Sequence, residues 1–131
     1  MDFLRQLADS VHKKRPLSLK ILGGDFNESY EGYSMEPLRI ANPGGASILP
    51  LIPQGGKGSY KYRGSWSQID LFLMAGPANS YQIQGSILQI PPLLTSDEAY
   101  GGWKPFRTYE GYSYAGGVSD HLPIILDINS P

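Results

Sequence analysis

Residues 66–74 read as a β-strand that carries a carboxylate among apolar neighbours: Ile69, Leu71 and Leu73 face one way, Asp70, Phe72 and Met74 the other. A charge in that position is expensive unless hydrogen-bonded, so the fold must bring Asp70 a partner. Residues 59–63 and a Gly64-Ser65 turn precede the strand and make a hairpin with it. Few other stretches hold a period for long, because 16 glycines and 11 prolines break up 131 residues. Short strands joined by long structured loops are expected, with function on the loops.

Phe3, Leu4, Leu7, Ala8 and Val11 recur at helical spacing, with Lys13, Lys14 and Arg15 before Pro16, so the chain opens with an amphipathic helix. The basic cluster is read as its last turn rather than as a phosphate site. Residues 17–22 form an apolar run closed by Gly23-Gly24, expected to be a buried strand that delivers the chain to Asp25. Residues 27–58 give no firm assignment beyond a short helix around 34–40. A weaker strand spans 81–90, a long loop spans 94–117, and the alternation of Leu122, Ile124, Leu126 and Ile128 makes a last strand. With no repeat or linker, residues 1–131 count as a single unit.

The net charge of -1 argues against a broad cationic surface for nucleic acid and leaves only local contact. Without cysteine there is neither a disulfide framework nor a thiolate metal site, and the redox compartment stays open. No apolar run is of membrane-spanning length and no secretory signal stands at Met1, so a soluble chain is expected, cytoplasmic or exported.

Two pairs of residues carry chemistry. Asp25 and Asn27 lie two apart and, in extended backbone, offer an acceptor and a donor on one side. Asp120 and His121 stand just before the last strand. Taken alone, each pair has an ordinary explanation as turn formers or solvated side chains. Together with Asp70 they make a coherent set. Asp70 can fix the tautomer of His121, and Asp120 can ligate a hard cation. An activated water, a polarised phosphate and a metal would follow.

Three blocks then stand in order: residues 22–27 (Leu-Gly-Gly-Asp-Phe-Asn), 66–70 (Trp-Ser-Gln-Ile-Asp) and 119–124 (Ser-Asp-His-Leu-Pro-Ile). They resemble the last three signature blocks of the endonuclease/exonuclease/phosphatase superfamily. Residues 58–64 and 104–111 resemble a bacterial branch of it, so the likeness runs over nearly the whole chain. The resemblance implies an α/β chain of α+β type, the C-terminal half of a four-layer αββα sandwich like that of deoxyribonuclease I, with mixed β-sheets and helix on the outer face. It implies a Mg2+-dependent phosphoesterase, with Mn2+ or Ca2+ as alternatives. By position, Asp25 orients or deprotonates the attacking water and shares the metal with Asp120. Asn27 hydrogen-bonds the phosphate or that water, Asp70 orients His121, and His121 acts on the scissile phosphate. The superfamily's first half supplies a metal-binding Glu, an Asn, and a His or Tyr that have no counterpart here. A partial domain is therefore expected, weakly active alone, that pairs with the missing half or forms a homo-oligomer through an uncovered apolar face. A non-catalytic binding or assembly module is the alternative.

Two departures from the superfamily pattern, Glu28 and Leu71, are read as minor. Lys104 and Arg107 could meet a phosphate, and Trp103 and Tyr109 could stack on a base or sugar. Tyr60, Tyr62 and Trp66 are read as core or cross-strand aromatics. The substrate within the phosphoester class is not chosen by resemblance.

Overall fold

The computed structural model describes residues 1–40, 45, 48–51, 56–77 and 80–130. Helix α1 (Asp2–Lys14) forms as its spacing predicts. Asp2 in its first turn and His12, Lys13 and Lys14 in its last complement the helix dipole, and Pro16 follows the stop. Strands β1 (Lys20–Asp25), β2 (Ile48–Leu51) and β5 (Asp70–Ala75) make one antiparallel sheet in the order β1-β5-β2. The short helix expected near residue 34 is a 3-10 turn, Tyr33–Met35, running into α2 (Glu36–Arg39).

The core lies between the helices and this sheet. Ala8 of α1, Met35 and Leu38 pack with Ile48, Leu71, Leu73 and Ala75, joined by Leu4, Leu22, Phe26 and Tyr30. The alternating residues of β5 thus bury one apolar row against the helical layer and turn Asp70, Phe72 and Met74 to the other face. The apolar stripe expected on α1 is used only in part: Ala8 is buried and Leu4 packs on the core, whereas Phe3 and Leu7 are exposed and Arg5 is buried in their stead. No helix among the described residues is long and apolar enough to cross a membrane.

Several expectations change. The strand awaited at residues 17–22 begins at Lys20 and is only half buried: Leu17 is 87% exposed, and after the buried Lys20 the strand alternates between exposed and partly buried positions because only one of its faces packs on the core. The strand awaited over 66–74 is two. Strand β4 (Ser65–Ser67) pairs with β3 (Tyr60–Tyr62), and the chain then breaks at Gln68-Ile69 so that β5 can join β1 and β2. Strand β6 (Gln82–Ile87) pairs with β11 (Ile124–Asn129), and β11 runs against β5. Every pairing described is antiparallel, where a mixed sheet was expected.

The long loop expected over 94–117 holds two small hairpins: β7 (Leu94–Ser96) with β8 (Trp103–Pro105), and β9 (Tyr109–Glu110) with β10 (Ser113–Tyr114). Strands of two or three residues are too short to leave a period. The first hairpin is tied to β3 by a buried ion pair. Lys61 Nζ meets Asp97 Oδ2 at 2.7 Å and also donates to the carbonyls of Gly101 (2.9 Å) and Trp103 (3.2 Å), so all three ammonium donors are used. The hydrogen bond from Lys61 holds the Asp97 carboxyl below its usual range, with the Tyr100 N–H contributing.

A carboxyl depressed in the folded state stabilises fully above its unfolded value, about 4, and that contribution is lost as pH falls through the lower folded value. Replacing Asp97→Asn leaves a buried ammonium without its anion. The thermal midpoint at pH 7 should fall by more than about 5 °C. In calorimetry at successively lower pH the gap to the unsubstituted chain should narrow. An equal gap at pH 7 and in strong acid would show that the pair contributes nothing through charge.

Candidate active site

Three strand ends converge on one place. The antiparallel register sets Asp25, the last residue of β1, directly opposite Asp70, the first of β5. An isolated bridge between Tyr60 and His121 draws the segment before β11 onto β3, and the Leu122 N–H donates to the Ser59 carbonyl at 2.7 Å. Leu122 itself is buried, which anchors its neighbour His121. Asp25, Asp70 and His121 consequently bring one ligand-type atom each to within 4.8 Å of one another.

Asp70 finds the partners its position demands. Its Oδ2 accepts the hydroxyl of Ser59 and faces Nδ1 of His121 at 2.8 Å, while its own N–H donates to Ser59 Oγ at 3.3 Å. The hydroxyl of the fully buried Ser59 thus donates one hydrogen bond to Asp70 and accepts another from it. An ionised carboxylate only accepts, so Nδ1 of a neutral His121 carries the ring proton and Nε2 keeps its lone pair. The Asp70 carboxylate thus sets which imidazole nitrogen is available for chemistry.

Asp25 is exposed at the strand end. Asn27 does not continue the extended backbone: its φ of 55° is left-handed, and its N–H donates to Asp25 Oδ1 at 2.7 Å. The two side chains are therefore related by an Asx-type turn rather than by strand alternation, a conformation Asn tolerates well. Both line a cleft of about 520 Å³ with Met1, Leu4 and the end of β1. The neighbouring Glu28 turns away, accepting the Tyr33 and Ser34 N–H groups, and the Ser34 hydroxyl is the main reason its carboxyl sits below its ordinary value.

Asp120 is exposed and stands outside the three-residue group, in a smaller cleft of about 330 Å³ with Arg107, Tyr109 and Ser119. Lys104 is engaged with Glu110 at 2.6 Å. Arg107 is turned inward, its Nη2 donating to the Lys61 carbonyl at 2.8 Å. Tyr109 packs edge-on against Tyr114, and Trp103 is 63% exposed in a cleft of about 580 Å³ with Trp66 and Tyr100. That cleft holds none of Asp25, Asn27, Asp70, Asp120 or His121, so volume alone does not locate the chemistry. Of the aromatics read as structural, Tyr60 pairs across to Ser67 and packs on His121 with ring centroids 4.7 Å apart, whereas Tyr62 is half exposed.

Ser59 is the site residue that sequence reasoning passes over. Its signal lies in Gly58: a Cβ there would meet the Ser67 backbone at 2.6 Å, so the hairpin closes tightly enough to bury the serine only if glycine precedes it. Comparison with curated proteins and with solved structures finds no match. The family comparison does: the profile of the Endonuclease/Exonuclease/phosphatase family matches residues 1–130.

The chain belongs to the endonuclease/exonuclease/phosphatase family. The family consists of phosphoesterase- and nuclease-type hydrolases, typically dependent on a divalent metal. The donor set of this endonuclease/exonuclease/phosphatase chain, carboxylates with one imidazole, suits such an ion. Asp70 and His121 Nδ1 are spent on each other, which leaves the exposed Asp25 carboxylate as the donor best placed to accept one.

Removing the Ser59 hydroxyl leaves buried Asp70 a partner short. Ser59→Ala should cost about 1–3 kcal/mol in urea unfolding with the m-value unchanged. An unshifted midpoint would mean that the Ser59–Asp70 contact does not support the site.

Proposed function

We propose that Asp25, Asp70 and His121 form the hydrolytic centre of a divalent-metal-dependent phosphoesterase in which a water attacks phosphorus directly. The observation that carries this reading is the gathering of the three side chains within 4.8 Å, with His121 already oriented by Asp70. Asp25 positions the water and takes up its proton. Asn27 hydrogen-bonds the phosphate or the water from the same cleft as Asp25. As the imidazolium, His121 donates from Nε2 to the phosphate and passes that proton to the ester oxygen, which leaves as its bond to phosphorus breaks; Asp70 holds the ring and offsets its positive charge until then.

Mg2+, with Mn2+ or Ca2+ as substitutes, would be held by Asp25; Asp120, expected to share it, lines a separate cleft outside the group that Asp25 makes with Asp70 and His121. When bound, the ion offsets the charge that builds on the phosphoryl oxygens. In this reading the chain contributes half of a centre. The other half is supplied by a further segment or by a second copy packing on apolar surface that remains exposed at Leu49, Ile125 and Ile128. Hydrolysis by the 131 residues alone is accordingly slow.

The test is hydrolysis of bis-p-nitrophenyl phosphate and p-nitrophenyl phosphate with and without Mg2+. Turnover should vanish with a chelator, and Asp25→Asn or His121→Ala should each lower it by about 100-fold or more. Hydrolysis that survives both substitutions would place the chemistry elsewhere.

A further inference from the structure

A single hydrogen bond does not immobilise an imidazole. The bond from Nδ1 to Asp70 fixes one atom of the His121 ring but lets the ring swing about that contact, because the terminal torsion of histidine is broad. The flat side of the ring is met by Tyr60, whose ring centroid lies 4.7 Å away with the planes inclined by 32°. Tyr60 is not free to follow the histidine. It pairs across β3–β4 with Ser67, and its backbone bridges that of His121.

Arg107 also meets Tyr60, its guanidinium carbon 5.6 Å from the tyrosine ring centroid. Arg107 Nη2 donates to the carbonyl of Lys61, the residue after Tyr60, so the guanidinium is tied to the strand it braces. Its Nε is fully buried and has no hydrogen-bond partner among the described residues. One guanidinium donor is thus taken up by the β3 backbone, and the charged carbon lies over the tyrosine ring. The segment carrying it is stiff as well. The Arg107 carbonyl accepts the Gly117 N–H at 3.0 Å and the Phe106 carbonyl that of Val118 at 2.9 Å, an approach that a side chain at Gly117 would block.

We infer that Tyr60 and Arg107 are positioning residues, a stacked brace that holds the His121 ring at the angle at which Nε2 addresses the phosphate. The inference rests on the hydrolytic role proposed for His121, but the geometry of the brace can be tested without it. The chain has two histidines, His12 in α1 and His121, so their ring signals in NMR are readily told apart by His121→Ala.

In the unsubstituted chain the His121 ring protons carry the ring-current shift of Tyr60 and a single narrow set of lines. Tyr60→Phe keeps both. Tyr60→Leu abolishes the shift, and Arg107→Met, which leaves the tyrosine in place, broadens the His121 lines as the brace loosens. In the Mg2+ assay Tyr60→Leu and Arg107→Met lower kcat by about tenfold to a hundredfold. KM stays within about twofold, and Tyr60→Phe restores the rate.

Unchanged His121 ring signals in both Tyr60→Leu and Arg107→Met would overturn the brace. So would an Arg107→Met variant whose KM rises at constant kcat, since that places the guanidinium on the substrate. If the unsubstituted chain hydrolyses nothing, the proposed function fails, while the ring signals still decide the brace.

Discussion

Burying the carboxylate of Asp70 at the head of β5 is the constraint from which the arrangement of the site follows. The strand is committed to the core by Leu71, Leu73 and Ala75, so Asp70 cannot retreat to solvent without withdrawing that apolar row from the helices. It must instead draw polar partners inward, and it draws them from distant parts of the sequence: Ser59, 11 residues earlier, and His121, 51 residues later. An unmet carboxylate there would be charged and dry, a cost that favours the three segments folding together. The same contacts that satisfy the charge also bring an oriented imidazole beside Asp25. Structural necessity and chemical usefulness coincide in one hydrogen-bonded pair.

The three-residue strand β3 mediates between this site and the rest of the loop-rich half. Successive side chains on a strand point to opposite faces, so Tyr60 meets the His121 ring while Lys61 reaches the other way, into the buried pair with Asp97. The Lys61 backbone carbonyl then takes the Arg107 guanidinium. A short strand that could not stand alone is thus fixed by an ion pair on one side and a ring stack on the other. The loops that precede Asp120 and His121 acquire definite positions without a large core of their own.

Much of this was legible in the sequence where periodicity or chemistry is strong. Helix α1, the apolar row of β5, the need of Asp70 for a partner and the final strand all follow from spacing and from the cost of buried charge. The order of the three motif blocks pointed to the family. Strands β7 to β10 left no trace, because hairpins of two or three residues depend on side chains such as Lys61 and Asp97 that meet only in three dimensions. The turn at Asn27 was hidden because Asn suits both extended and left-handed backbone. Arg107 reads as a loop cation until Lys61 and Tyr60 are seen beneath it. The parallel component expected of the sheets is likewise absent among the described residues, since each strand pairs antiparallel with its neighbours.

The claim at the centre is that Asp70 acts through His121 rather than on its own account. A double-mutant cycle with Asp70→Asn, His121→Ala and the combined variant, read out as Mg2+-dependent phosphodiester hydrolysis and checked for folding by urea unfolding, tests it directly. Non-additivity is expected: once His121 is gone, replacing Asp70 should leave the residual rate unchanged to within about twofold. Losses that multiply, each substitution exacting its full effect in the presence of the other, would contradict a coupled Asp70–His121 pair and with it the site as drawn.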